Sequence, residues 1–468
     1  MEVMSKYEPV SAEVVAALQT ALGAEYVRTD AETLEKYKTD EETDPRYHHL
    51  PEVVVWPGST EEVAAVMKIA NRYNVPVTPR SAGTSVSCGA IPVYGGIVLL
   101  LERMDKIEEL NTEGMYMVVE AGARTVEIQE KANAAGFLYA GDPCSADSCL
   151  IGGNIATNAG GNKAVRYGTT RDQVYAIEAV TPTGDIVNVG ARLKKKSTGY
   201  CLEQLIMGSE GTLGIITKAT LKLLPLCPYK LDLLAIFTDL DKAVGLVPNL
   251  IKAGLNPTSV EFMDNAFVRS SSDYCELKLP HYEDGFYVIV TVETFNEDEL
   301  ESKMEQLDEI CSASGATDVL EADDRVWKLR RNCLESTRVL SLVSTSDDLV
   351  VPVDQIANCI RHLTKVAENY SFKLFTLAHA GDGNLHFQIL KGEMSDEQWE
   401  DEVSRFHAEA YPYVYSLGGR LSGEHGIGAK KVEAMEKYTE PVEMKMMKEI
   451  KRALDPKNIL NPGKVFNA

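Results

Sequence analysis

The sequence predicts an α+β protein with more than one domain. Three observations carry that reading: a strand–helix–strand–loop opening, three separate glycine-rich stretches, and a change of texture after Pro225. At 468 residues, 44% of them apolar, the chain exceeds one ordinary hydrophobic core and has the material for two.

From Ser11 to Lys38 the pattern is helical, with Val14, Val15, Leu18 and Leu22 at helical spacing. Pro51 to Pro57 is read as a strand on Val53, Val54 and Val55. Ser59 then offers an N-cap, and Glu61 and Glu62 an acidic first turn, for a helix through Tyr73. Pro76 to Pro79 is another short strand, and Arg80 to Gly89 a loop of small residues. The second glycine-rich stretch runs from Gly141 to Gly168 and the third from Gly208 to Gly214. Between them, Ala176–Val180 and Ile186–Val189 flank Pro182-Thr183-Gly184-Asp185, a hairpin turn. Beyond Pro225, Leu240–Ala253 and Glu297–Ser314 look helical and Phe286–Val292 extended. From Leu417 the chain is glycine-rich again before a charged helix, Pro441–Leu454. These shifts divide it into 1–226, 227–416 and 417–468.

The balance of 47 basic against 70 acidic residues leaves a formal charge of −23, which repels phosphate backbones and anionic lipid heads. Nucleic acid is therefore not an expected partner. An anionic substrate would need a local basic group. No run approaches the ~18–20 apolar residues that cross a bilayer, so no transmembrane segment is expected. Met1 to Glu13 has neither a basic nor an apolar export region. The nine cysteines are scattered without a C-x-x-C pair, which withholds support from iron–sulfur and zinc-ribbon readings and fits reduced thiols in a cytoplasm.

The loop Pro79-Arg80-Ser81-Ala82-Gly83-Thr84-Ser85 can cradle an anion with backbone N–H groups and hydroxyls. Taken alone, it is as readily an ordinary small-residue loop. A second segment, Ile151 to Gly161, sets glycines and other small residues around two apolar positions, a composition that lets a planar or phosphorylated body approach the backbone. Neither has the spacing of a nicotinamide fingerprint or a P-loop. Together with Gly208-Ser209-Glu210-Gly211-Thr212-Leu213-Gly214-Ile215, and in this order, the loops resemble the FAD-binding domain of vanillyl-alcohol-oxidase-type flavoproteins. The resemblance implies a two-part α/β FAD-binding domain in 1–226. In it Arg80, Ser81, Ala82, Gly83, Thr84 and Ser85 would take the pyrophosphate. Pro143, Ser145, Gly153, Thr157, Asn158, Gly161, Tyr167 and Gly168 would line the isoalloxazine and ribityl, and Glu210, Gly211 and Ile215 the adenine end. Without a histidine between residues 50 and 280, and with Cys88, Cys144 and Cys149 offset from any attachment position, the FAD is expected to be non-covalent.

Two of the eight histidines stand in His379-Ala380-Gly381-Asp382-Gly383-Asn384-Leu385-His386, where a turn between apolar strands can converge both imidazoles. Gly423-Glu424-His425-Gly426-Ile427-Gly428 follows, its glycines freeing the Glu–His pair from regular geometry. A lone histidine is usually a hydrogen-bonded core or loop residue. His379, His386 and Glu424 together suit a divalent borderline metal with positions left open; zinc, iron(II) and manganese fit comparably.

These two motifs resemble the C-terminal domain of FAD-linked D-lactate dehydrogenases, glycolate oxidase flavin subunits and D-2-hydroxyglutarate dehydrogenases. The resemblance implies an α+β substrate (cap) domain in 227–416 and a segment, 417–468, that returns to the flavin and includes Asn461. It implies metal on His379, His386 and Glu424, His425 as base, Asn384 beside the site, and Arg330 on the substrate carboxylate. The alternative reading of Arg330 is part of a solvated helix face beside Lys328 and Arg331.

The expected reaction is FAD-dependent oxidation of a small D-2-hydroxy acid, with hydride passing to flavin N5 and electrons then to a partner protein, an electron-transferring flavoprotein or an iron–sulfur subunit. The hydroxyglutarate-type relatives carry a lysine before their L-x-L-P segment. Here Ser344-Thr345-Ser346-Asp347-Asp348-Leu349-Val350-Val351-Pro352 carries acids, which favours D-lactate, then glycolate. D-2-hydroxyglutarate, a non-redox role like that of the alkyl-glycerone-phosphate synthase branch, and a flavin carrier without substrate are the alternatives.

Overall fold

The structure, a computed structural model, describes residues 6–42 and 44–468; the first five residues of the Met1–Glu13 stretch lie outside the described residues. Helices and sheets mix along the chain, the α+β architecture the sequence predicts. Two compact units form. Unit 1 comprises Met1–Gly160, Gly168–Leu226 and Glu424–Ala468, and unit 2 comprises Gly161–Tyr167 and Cys227–Gly423.

In unit 1, the described residues build a four-stranded sheet from β1 (Val27–Arg28), β2 (Val53–Val55), β3 (Val77–Arg80) and β4 (Ile97–Leu100), ordered β1-β2-β4-β3. β2 and β3 both run parallel to β4, and every residue of β2 and β4 is buried, as a parallel sheet covered on both faces requires. The helix Thr60–Tyr73 begins at Ser59, whose Oγ accepts the Glu62 N–H at 3.2 Å. The helical run read from Ser11 to Lys38 is interrupted. It stops at Leu22 because Gly23 turns the backbone to φ +98°, the chain returns as β1, and Asp30 caps a second helix, Ala31–Lys36.

A five-stranded sheet follows. It contains β5 (Ile107–Asn111), β6 (Tyr116–Glu120), β8 (Val174–Val180), β9 (Ile186–Gly190) and β10 (Ile215–Lys222), ordered β5-β6-β10-β8-β9; β7 (Phe137–Leu138) pairs separately with β11 (Leu224–Pro225). The Pro182–Asp185 turn joins β8 to β9 with Val180 opposite Ile186. The stretch from Gly141 to Gly168 contains more regular structure than its glycines suggest, since Ile151–Thr157 is a helix. Gly152 is needed there for packing, because a Cβ would lie 2.7 Å from the Ala121 side chain.

Unit 2 centres on an antiparallel sheet of seven strands among the described residues: β12 (Tyr229–Phe237), β13 (Ser259–Met263), β14 (Phe286–Thr294), β15 (Asp318–Glu321), β16 (Ser344–Val350), β17 (Lys373–His379) and β18 (Asn384–Leu390). Their order is β15-β12-β14-β13-β17-β18-β16. On one face Phe375 and Leu377 join a core with Phe267 of the helix Asn265–Tyr274 and Val326 and Leu329 of the helix Asp324–Arg331. The helix Asp396–Ser416 reaches the other face of β16, where Tyr411 donates to Asp347 at 2.9 Å.

The β17–β18 turn depends on Gly383, at φ +87° and with the Val351 carbonyl 2.0 Å from where a Cβ would stand. Gly383→Ala should cost roughly 1–3 kcal/mol, the scale of a strained backbone position, and lower the thermal midpoint. Gly245→Ala, inside the helix Leu240–Lys252 with nothing within 4 Å of the new methyl, should instead be neutral or stabilising by about 0.5–1 kcal/mol. Scanning calorimetry of both variants beside the parent checks the contrast.

Candidate active site

Strand alternation puts four ionisable side chains in a row across unit 2. His379 at the end of β17 pairs in register with Glu261 of β13, and His386 of β18 pairs with Asp348 of β16. Leu377 opposite His386 is two residues from His379, so both imidazoles lie on one face as diagonal neighbours, ring centroids 5.1 Å apart. Across β13, β17, β18 and β16 the row reads acid, histidine, histidine, acid.

Each carboxylate has defined partners. Glu261 is wholly buried, with Oε1 2.8 Å from His379 Nδ1. Its Oε2 accepts from Arg330 Nε at 3.1 Å and Nη2 at 2.7 Å. Burial alone would push the Glu261 carboxyl up, but His379 and Arg330 outweigh it and hold the pKa at about 2. Asp348 lies 3.9 Å from His386 Nδ1 and accepts from Asn384 Nδ2 at 2.6 Å, Ser422 Oγ at 2.5 Å and the Gly423 N–H at 3.1 Å. Asp347, next in sequence, faces the opposite way, to His407 and Tyr411. Of the two acids read as lying near the substrate, only Asp348 shares the histidine face, because strand neighbours alternate.

Two imidazoles lie on one face, each with Nδ1 turned toward a carboxylate. This is the donor chemistry and supporting shell of a borderline divalent metal, which the residues present therefore fit. Glu261 was missed by the sequence reading. Its signal was present, an acid in the middle of the apolar strand Ser259-Val260-Glu261-Phe262-Met263.

Unit 1 contains Glu424 and His425, with His425 Nε2 3.6 Å from Glu424 Oε1. The loop around them is held by Glu210, whose carboxylate accepts the Ile427 and Gly428 N–H groups at 2.7 Å each, and by Ser87 Oγ, which donates to the His425 carbonyl at 2.9 Å. Gly428 is required, since a Cβ would stand 1.8 Å from the Ser87 carbonyl. Gly160 gives Glu424 room in the same way, its own Cβ position being 2.7 Å from Oε2.

The residues expected to bind FAD fall mainly in unit 1; Gly161 and Tyr167 belong to unit 2, where Tyr167 donates to Glu293 at 3.1 Å. Arg80 is buried, donates to the Thr39 carbonyl at 2.6 Å and lies over the Tyr37 ring. Among the described residues, the backbone N–H groups of Ser81, Ala82, Gly83 and Thr84 donate to no protein acceptor, while Ser85 Oγ accepts from Ser87 and Gly89. A Cβ on Gly153 would come within 3.1 Å of Ser81, so the two glycine loops approach backbone to side chain. Unused donors on a half-buried turn beside a glycine-faced helix fit a dinucleotide pyrophosphate. Pro143 and Ser145 accept backbone bonds from Ala146 and Cys149 in a tight turn. Thr157 and Asn158 close the helix Ile151–Thr157, and Asn158 Oδ1 accepts the Arg171 N–H. Gly168 and Gly211 hold positive φ. Ile215 is buried in the core, and the carboxylate of Glu210 is spent on the 427–428 backbone. Asn461 donates to the Glu210 carbonyl at 2.7 Å.

Residues 51–190 match the FAD binding domain family, and residues 230–465 match the FAD linked oxidases, C-terminal domain family. The chain is 37% identical over 425 residues to a D-lactate dehydrogenase of Anaerostipes hadrus, covering 89% of each chain. It is 35% identical over 427 residues to the glycolate oxidase subunit GlcD of Bacillus subtilis, covering 90% of each. The solved 4-ethylphenol oxidase of Gulosibacter chungangensis shares its fold with a TM-score of 0.79 at 20% identity, over 98% of both chains.

The Glu261 cluster predicts a pH dependence. A carboxyl held near 2 in the folded protein, against an ordinary value of ~4.3, adds stability that is complete above the ordinary value and lost as pH falls toward 2. In metal-free protein, the stability gap between parent and Glu261→Gln in urea unfolding should be widest at neutral pH and shrink below about pH 4. A gap constant down to pH 2 would rule out the carboxylate charge as its source.

Proposed function

This chain belongs to the FAD-linked oxidase family, and we propose that it oxidises a small D-2-hydroxy acid, D-lactate first and glycolate next, to the 2-oxo acid. The observation that carries the reading is the acid–histidine–histidine–acid row of unit 2, joined to Arg330 through Glu261. A row of that kind is more than a flavin carrier needs.

In this proposal unit 1 holds FAD non-covalently, with Ser81–Thr84 at the pyrophosphate, and unit 2 presents the substrate. His379 and His386, with Glu424, are the proposed ligands of one divalent metal. When bound, FAD supplies the hydride acceptor at N5, and the metal supplies the positive charge that acidifies the substrate hydroxyl. His425 takes the hydroxyl proton as general base. The C2 hydrogen leaves with its electron pair, so the carbinol carbon becomes a carbonyl. Arg330 offers the positive charge for the substrate carboxylate, which the net charge of −23 makes necessary. Asp348, on the histidine face, disfavours a second carboxylate and so a hydroxyglutarate-type substrate.

Electrons are proposed to pass to an electron-transferring flavoprotein or an iron–sulfur subunit. The cytoplasm is the proposed compartment, in keeping with buried thiols at Cys88, Cys149, Cys311, Cys333 and Cys359. No helix among the described residues is long and apolar enough to cross a membrane.

Anaerobic flavin bleaching tests the reading. D-lactate should reduce the bound flavin faster than glycolate, L-lactate or D-2-hydroxyglutarate, and prior chelation should abolish the difference. His425→Ala should slow reduction by about 10²–10⁴-fold, the range of a lost general base. If metal-replete protein is bleached by no hydroxy acid, the redox proposal fails.

A further inference from the structure

Glu261 uses its two oxygens differently. Oε1 meets His379 Nδ1 at 2.8 Å, and Oε2 takes both Nε and Nη2 of Arg330, at 3.1 and 2.7 Å. The same buried carboxylate thus touches a proposed metal ligand and the proposed carboxylate anchor. The carboxylate of Asp348 stands farther from its histidine, 3.9 Å from His386 Nδ1, and accepts from Asn384, Ser422 and Gly423.

We infer that Glu261 is a positioning residue that couples metal binding to substrate-carboxylate binding, by fixing the tautomer and ring plane of His379 while holding Arg330 to the same face. The inference rests on the metal reading proposed above. Three features of unit 2 support it. The carboxylate is wholly buried, so neither partner can be exchanged for water without leaving a buried charge short of compensation. With Nδ1–H committed to Oε1, Nε2 carries the lone pair that a cation needs. Finally, the Arg330 side chain is 11% exposed, so its guanidinium is directed by Oε2 and does not sample solvent freely.

Coupling follows from the shared atom group. With a divalent cation held by His379, the hydrogen bond from its ring to Glu261 Oε1 would strengthen and electron density would be drawn from Oε2. Arg330 then holds Glu261 less tightly and is freer to turn a donor toward an incoming monocarboxylate. The reverse holds by thermodynamic linkage, since a carboxylate drawn to Arg330 leaves Glu261 more basic toward His379.

Metal affinity provides a readout independent of turnover. Zinc would be titrated into chelator-stripped, flavin-loaded full-length protein against a chromophoric competitor, with and without pyruvate, which carries the carboxylate and leaves the flavin oxidised. The parent should bind zinc more tightly with pyruvate present. Glu261→Gln should weaken zinc binding by about 10–100-fold, the usual cost of a lost partner behind a metal histidine, and should erase the pyruvate effect. Arg330→Gln leaves the His379 contact in place. It should keep zinc affinity within a few-fold of the parent yet lose the pyruvate effect, and it tests the coupling even if Glu261→Gln does not fold. In steady-state assays Arg330→Gln should raise KM for D-lactate more than it lowers kcat.

Parent-like zinc affinity and pyruvate dependence in Glu261→Gln would overturn the inference and leave the proposed function standing. So would an undiminished pyruvate effect in Arg330→Gln. A parent that binds no zinc, manganese or iron(II) would overturn the inference and the metal reading together.

Discussion

A carboxylate removed from water must be met by positive or hydrogen-bonding partners, and much of unit 2 is arranged around meeting that demand for Glu261. An isolated buried charge costs several kcal/mol. The cost is offset here by an imidazole from the adjacent strand and a guanidinium from a helix packed on the same face. Those partners must come from fixed places, so the register of β13 against β17 and the docking of the helix Asp324–Arg331 are tied to one side chain. In the proposed reaction this rigidity would hold His379 and Arg330 in productive geometry before substrate arrives.

The opposite device operates in unit 1. There the loop bearing Glu424 and His425 is irregular, and its shape comes from backbone donors drawn onto Glu210 and from glycines that avoid the Ser87 and Glu210 atoms crowding them. In unit 2 the two histidines stand on regular strands, while in unit 1 the Glu424–His425 pair stands on a clamped loop. A strand fixes which face a side chain occupies, whereas a loop can deliver consecutive residues to one place.

Much of this was legible in the sequence wherever periodicity or turn chemistry governs structure. Val53–Val55, the helix capped by Ser59, the Pro182–Asp185 hairpin and the turn between His379 and His386 all follow from local pattern. Helix Ile151–Thr157 escaped because Gly152 is there for close packing on Ala121 and Gly153 faces Ser81, tertiary reasons invisible in a local window. Glu261 escaped for a related cause: 118 residues separate it from His379, and only sheet order makes them neighbours. The adjacent acids Asp347 and Asp348 were read as one patch, although alternation sends them to different faces with different partners. Matching motifs locates residues, but their roles follow from what surrounds them.

That alternation has a consequence for how this chain can change over generations. β16 stands at the end of the sheet, paired along its length with β18 and bridged on its other side to Arg420 at Val350, and edge strands are the easiest to slide. A one-residue slip of register at β16 would turn Asp348 away from His386, Asn384 and Ser422, toward the face of Tyr411 and His407, and bring either Asp347 or Leu349 to its place. The connection leading into β16, with Leu342 96% exposed and Val343 46% exposed, has ample room for such a change sterically. Substitutions at Leu342 and Val343 should therefore be tolerated far more readily than a change in residue count, whereas Ser341 is buried and its hydroxyl donates to the Val343 carbonyl and accepts the Gly392 N–H.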